Sequence, residues 1–186
     1  MPIRGVLAQN GLILIMSLLL LLVLTLLTLT ALQTSVLETK MRTNDQSRSL
    51  AFQAAESALR EAEQYISSTD PVFNPVQISA GPFQGTDCVA GLCPYVSIPL
   101  CLAVDFNWLT KARLVTVNLQ NSVQAPRYVI ELLSHKPSSD GISIDAIFRI
   151  TTRAWGMDIN TVVQLQSYFS LQAVNKRRIA WREIIN

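Results

Sequence analysis

The most regular hydrophobic pattern in the chain is an apolar run at residues 12–32 that contains no charge, Gly or Pro. A helix rises about 1.5 Å per residue, so this run reaches about 30 Å, the thickness of a bilayer's hydrocarbon core. Its hydroxyl residues can each return a hydrogen bond to a carbonyl one turn back: Ser17, Thr25, Thr28 and Thr30. The run therefore predicts a helix that spans a membrane.

A cleaved secretory signal is the alternative interpretation of this run. The apolar core of such a signal is usually about 7 to 15 residues long, and a cleavage site between small residues follows it. Here the run is longer and no such site follows. The only plausible cut lies before the run, after Gly11.

The helical signal continues past the apolar run, because neither Gly nor Pro interrupts residues 12–67. In residues 33–68 the apolar side chains settle into helical spacing and form a stripe along one side. One line of this stripe consists of Ala51, Ala55, Ala58 and Ala62. We expect these alanines to pack either against a sheet of the same chain or against an identical helix in a coiled coil.

Residues 69–112 are rich in Pro and Gly and contain all the cysteines, in the segment DCVAGLCPYVSIPLC. This composition predicts a loop region with short pieces of structure. In an oxidising compartment Cys88 and Cys93 can close a short ring, and we expect this pair to leave Cys101 free. A zinc site would need a fourth ligand, and the only histidine, His135, is distant in sequence, so we expect no metal.

From residue 113 the hydrophobic period changes to two, which is typical of strands. Strands are predicted near residues 113–119, 128–133, 144–154 and 161–171, and their short connections favour antiparallel pairing. The fold class is therefore α+β, with a long helix covering one apolar face of an antiparallel sheet of about four strands and water on the other face. Residues 113–186 would form this head, and we interpret its last basic cluster as a solvated tail: Lys176, Arg177, Arg178 and Arg182.

Composition excludes several classes of function. The formal net charge is only +2, and residues 61–110 contain no Lys or Arg, so a nucleic-acid surface is not expected. One histidine, no Gly-rich phosphate loop and no paired nucleophile and base argue against an enzyme, and no cofactor is expected. A calcium site remains an alternative for the loop aspartates, although Asp in turns usually caps the backbone: Asp87, Asp105, Asp140 and Asp145.

Several motifs resemble one known family. The stretch LETKMRTNDQSRSLAFQAAESALREAE, with its AFQAAE core after an apolar helix, is similar to the signature of the PilX family of type IV pilus minor pilins. The segments CVAGLC, PRYVIELL, FRITTRAWG and VVQLQSYF also resemble that family. Together these motifs cover most of residues 12–171, so the resemblance implies a type IV pilin-like fold.

The resemblance also implies how the protein is processed and where it acts. Residues 1–11 would be a prepilin leader, which a prepilin peptidase cuts between Gly11 and Leu12 before it methylates the new amino group of Leu12. The protein would wait in the bacterial inner membrane, with its head in the periplasm, and then enter a pilus. Its partners would be other minor pilins and the major pilin, in a tip or priming complex that starts assembly.

Two positions depart from the usual pilin pattern. Gln9 and Asn10 stand where a basic residue often precedes the Gly, and Met16 replaces the usual Glu of the mature helix. A subunit with Met16 has no buried carboxylate to pair with a neighbouring amino terminus, which favours a place at the pilus tip. Two alternatives remain: a pseudopilin of a type II secretion system, and a membrane-anchored binding or sensing module with the helix as a dimeric stalk.

Overall fold

A computed structural model describes residues 10–68, 73–94, 101, 106–116, 121–137, 144–172 and 175–185. The chain forms two compact units, divided between Asp45 and Gln46. The long helix α1, Asn10–Ser67, begins in the first unit and ends in the second. By length and composition, α1 is the one helix among the described residues that could cross a membrane.

The first unit is a single helical segment whose side chains are exposed from Gly11 to Asp45. Its hydroxyl groups are satisfied within the helix, as the sequence predicts. Ser17 donates to the carbonyl of Leu14 at 2.8 Å, and Thr25 donates to the carbonyl of Leu22 at 2.7 Å. Thr28 and Thr30 make the same kind of bond. The apolar surface therefore carries no unsatisfied hydroxyl, which suits a hydrocarbon environment.

The second unit combines the end of α1 with a six-stranded sheet. Its strands are β1 (Leu92–Cys93), β2 (Arg113–Leu114), β3 (Arg127–Pro137), β4 (Ile144–Trp155), β5 (Val162–Leu171) and β6 (Lys176–Ile184). Short helices lie between them: α2 (Pro75–Ala80), a 3-10 turn (Pro82–Gln84) and α3 (Trp108–Lys111). The strand order is β1-β3-β4-β5-β6, and β2 also pairs with β3. The α+β fold class that the sequence predicts is confirmed.

The sheet differs from the prediction in two respects. It has six strands rather than about four, and it is mixed, because β1 runs parallel to β3 with Leu92 opposite Ile130. The basic C-terminal cluster is not a tail but strand β6, which pairs antiparallel with β5 from Lys176 to Ile184. The predicted end of the long helix near residues 69–71 lies outside the described residues, as does the end of the predicted strand at 113–119.

The core between α1 and the sheet is continuous. Ala54 and Leu59 of the helix share it with Phe148 and Ile150 of β4 and with Leu165 of β5, and all are completely buried. Small residues on the helix let its backbone come close to the larger strand residues, which favours close packing.

The opposite face of the sheet is also covered, contrary to the prediction of one solvent-exposed face. A second cluster of buried residues joins Val129 and Trp155 of the sheet to Trp108, Ala112 and Cys101. Alternate strand positions that look solvent-facing in sequence are therefore buried, including Arg149, Gln164 and Gln166. The loop region before β2 covers this face. The alternation of apolar and polar residues along a strand does not show that such a cover exists.

Candidate assembly surfaces

The apolar part of α1 is the first candidate surface. Leu12 is 64% exposed and Met16 is 63% exposed, and they lie with Ile13 and Leu20 along a shallow apolar surface. Gly11 has nothing within 4 Å of the position that a Cβ would take. The side of the helix at the predicted processing site is therefore open, and residues 1–9 lie outside the described residues.

The alanine line belongs to the second unit. Ala51, Ala55, Ala58 and Ala62 are all completely buried and lie in the same core cluster as the strand residues. On either side of this line, polar bonds join α1 to the sheet. Ser47 is buried and accepts a hydrogen bond from the backbone amide of Met157 at 3.0 Å.

Arg178 of β6 links the last strand to two carboxylates of α1. Its Nε donates to Glu63 Oε1 at 2.6 Å, and its Nη1 donates to Glu56 Oε1 at 3.3 Å. Ser167 of β5 donates to the same Glu63 oxygen at 3.2 Å. The hydrogen bond that Arg178 donates to Glu63 raises the pKa of Arg178, with the charge of Glu56 as a smaller cause in the same direction.

A second ion pair joins the same two elements: Arg48 Nη2 lies 2.7 Å from Glu183 Oε1. Lys176 donates to the carbonyl of Ser67 at 2.8 Å, close to the end of α1. The edge strand is therefore held to the helix at three places along its length. Sequence reasoning missed these contacts because the partners lie more than a hundred positions apart.

The cysteine loop carries a disulfide between Cys88 and Cys93, and Cys101 is free and buried. Gly91 makes the turn of this ring, with φ +83. A Cβ on Gly91 would lie 2.6 Å from Arg113 Cβ, so a side chain there would be strained and also crowded. Burial raises the pKa of the Cys101 thiol to about 12, although a hydrogen bond to Thr151 acts in the opposite direction.

A buried ion pair lies on the loop-covered face of the sheet. Arg149 Nε donates to Glu131 Oε2 at 2.7 Å, and Arg149 Nη2 donates to Glu131 Oε1 at 3.0 Å. Burial alone would lower the pKa of Arg149, but the hydrogen bond and charge of Glu131 outweigh it and the pKa is raised. Glu131 and Arg149 are cross-strand neighbours, so a shift of β3 against β4 would separate them and leave two buried charges uncompensated.

Two of the four aspartates considered for a calcium site, Asp87 and Asp145, lie among the described residues. Asp87 lies 2.7 Å from Lys111 Nζ and accepts a hydrogen bond from the backbone amide of Cys88, and these two contacts, with Lys111 the larger cause, lower its pKa. Asp145 lies in β4. Asp105 and Asp140 lie outside the described residues, and the described part of the chain contains no group of three or more His, Cys, Asp and Glu that could hold a metal ion.

A long apolar N-terminal helix whose later part packs on a sheet is the architecture of a pilin-like subunit. Two family models match the chain: PilX N-terminal at residues 10–60, and type IV pilus assembly protein PilX C-terminal at residues 41–171. The chain therefore belongs to the PilX family of type IV pilus assembly proteins. Neither the curated proteins nor the solved structures gave a match.

Proposed function

We propose that this protein is a minor pilin of a type IV pilus and that it enters a tip or priming complex from which the major pilin polymerises. The observation that carries the proposal is the combination of α1 with the family match. The apolar first part of α1 is exposed and its hydroxyl groups are hydrogen-bonded within the helix, whereas its later part packs against the sheet of the head. Such a subunit can leave a bilayer only by burying that surface among other apolar helices.

The leader would be cut between Gly11 and Leu12, and Leu12 would be methylated. Before assembly the protein would sit in the inner membrane with its head in the periplasm, where the Cys88–Cys93 disulfide is stable. Its partners would be the peptidase, other minor pilins and the major pilin. It would contribute surfaces to assembly and no chemistry.

The mass of the N-terminal peptide of protein from piliated cells tests the processing step directly. The expected peptide starts at methylated Leu12. The substitution Gly11→Val should block the cut, because it places a branched side chain where the peptidase would expect none, and uncut precursor should accumulate. An intact N-terminus on the protein in pili would contradict the proposal.

The tip placement is tested separately. Met16 brings no carboxylate into the apolar helix, so the subunit has no buried charge that must pair with a neighbour ahead of it. Gold-labelled antibody against the head should mark pilus ends at few copies per fibre. Labelling spread evenly along the shaft would rule out the tip placement and leave the minor-pilin proposal standing.

A further inference from the structure

Strand β6 leaves one long side of the sheet without a partner strand among the described residues. It is the last strand in the order β1-β3-β4-β5-β6 and spans Lys176–Ile184. The other end of the sheet differs, because β1 is only Leu92–Cys93 and both residues are buried. An unpaired strand presents a row of backbone donors and acceptors that another extended chain can meet.

The two faces of this edge have different chemistry. Cross-strand register places Arg177 opposite Ser170 and Arg182 opposite Gln166, so both arginines lie on the face away from α1. On the face toward α1, Trp181 is 50% exposed and its ring meets that of Phe52 edge to face, with centroids 6.1 Å apart. The edge is therefore cationic on one face, whereas the other face carries an exposed aromatic ring beside charged groups that are already bonded to α1.

The positive charge on this edge is not neutralised within the described chain. Glu183, the acid of β6, already pairs with Arg48, and Arg178 is occupied by Glu63. Arg177 is exposed, and the described residues give it no ion pair. Among the described residues, the hydrogen-bond partner of the Arg182 side chain is the neutral amide oxygen of Gln166, at 2.9 Å.

The charge of the β6 edge indicates which kind of chain can pair with it. A second copy of this protein would bring its own excess of basic residues to the edge, and like charges on paired strands are destabilising. A strand that alternates carboxylates with apolar residues would instead match the edge on both faces. Its carboxylates would meet Arg177 and Arg182, and its apolar side chains would lie against Trp181.

We propose that the free edge of β6 binds an extended, acidic segment of a different protein, which joins the sheet as an additional antiparallel or parallel strand. The inference rests on the proposed function in one respect: a pilus subunit must contact other proteins outside the membrane. The binding itself belongs to the head and can be measured without pili. Failure of this binding would leave the results of the processing and tip experiments unaffected. Failure of those experiments would likewise leave the binding result unaffected.

The test uses the full chain in uncharged detergent and a synthetic peptide that alternates Glu and Val over nine residues, the length of β6. Peptide binding is followed by fluorescence anisotropy, and backbone protection by hydrogen exchange. The expected result is saturable binding with protection of amides in residues 176–184. Two control peptides have the same side chains: one carries a methyl group on every backbone nitrogen, and the other has its Glu and Val in separate blocks. Both should bind at least about tenfold more weakly.

A pair of charge-reversing variants locates the contact. Arg177→Glu should weaken binding about tenfold, because it replaces an attractive cross-strand pair by a repulsive one. Lys136→Glu makes the same change at an exposed position of β3 and should leave binding unchanged.

Four results would overturn the proposal. Equal binding of the fully N-methylated peptide would show charge attraction without strand pairing, and unchanged binding to Arg177→Glu would place the peptide elsewhere. Protection of β6 that appears only as the protein self-associates would identify a second copy as the occupant. Protection by phosphatidylglycerol vesicles with none by the peptide would identify a lipid surface.

Discussion

Gly156, directly after β4, lies against the backbone of Ser47 in α1. A Cβ on Gly156 would be 2.5 Å from the Ser47 carbonyl oxygen and 2.4 Å from its Oγ. Next to this contact, the amide of Met157 donates to Ser47 Oγ. The helix and the β4–β5 turn therefore meet backbone to backbone, and only Gly allows the approach.

Gly156→Ala should lower the free energy of unfolding by about 2 to 3 kcal/mol, since backbone atoms must move apart to admit the methyl group. Gly85→Ala is the matched control. Its Cβ would lie no closer than 3.6 Å to a neighbour, and its φ of −70 suits any residue. Urea unfolding of the full chain in detergent, followed by tryptophan fluorescence, measures both. Equal effects of the two substitutions would show that the close approach is not rigid.

Ala58→Arg tests the packing of the alanine line. Ala58 is completely buried in the core that α1 shares with the sheet, so an arginine there would both overfill the core and bury a charge. We expect a loss of roughly 3 to 5 kcal/mol. Gln64→Arg, at an exposed position of the same helix, should change the free energy of unfolding by less than about 0.5 kcal/mol. A variant Ala58→Arg with wild-type stability would contradict the packing.

The parts of the fold that the sequence predicts are those with a local signal. Residues 12–67 show helical continuity, and β3, β4 and β5 show a period of two, so these elements were predictable. Strand β6 was not, because its sequence KRRIAWREI is mostly charged and does not alternate. Two of its charges, Arg178 and Glu183, pair with Glu63 and Arg48 far away in the chain, and a single sequence does not show that pairing.

The second face of the sheet was mispredicted for a related reason. Arg149 and Gln166 alternate with apolar residues and so look solvent-facing. In the structure both are buried, because Glu131 pairs with Arg149, and Thr151, Tyr168 and Arg182 bond to Gln166. The disulfide was easier to predict from the sequence, because Cys88 and Cys93 are only five positions apart in a loop and can close a short ring.

Cys101 should make the protein less stable at alkaline pH. Its folded pKa is about 12, against 9.0 for an ordinary thiol, so the folded state favours the protonated form. This contribution to stability is complete below pH 9 and is lost as the pH rises from 9 to about 12. The slope should approach about 1.4 kcal/mol per pH unit within that window.

Tyr128 is a second alkaline group, because burial raises its pKa from 10.0 to about 12. Its effect begins one pH unit higher than that of Cys101. The window between pH 9 and 10 therefore isolates the thiol. Unfolding of the wild-type chain and of Cys101→Ala, measured across this window, should show a decline in the wild type that the variant lacks. Parallel curves would mean that the thiol is not buried in solution.

Gln164 and Gln166 occupy the same face of β5, and the structure predicts opposite effects when each is replaced by Leu. Gln164 is 4% exposed and its side-chain oxygen has no hydrogen-bond partner among the described residues, so it is desolvated without compensation from them. Gln164→Leu should be neutral or stabilise the fold by up to about 1 kcal/mol.

Gln166 donates to Thr151 at 3.3 Å and accepts from Arg182 at 2.9 Å. Gln166→Leu therefore leaves these partners unpaired and should lower the free energy of unfolding by about 1 to 3 kcal/mol. Both variants replace Gln by Leu, so they change side-chain volume and hydrophobicity by the same amount. The difference between their urea midpoints therefore reports the hydrogen bonds. A loss of stability in Gln164→Leu as large as that in Gln166→Leu would show that the Gln164 oxygen has a partner in solution. The first candidate is a water that bridges this oxygen to the Nε of Arg153, which lies opposite Gln164 on β4 and also lacks a partner among the described residues.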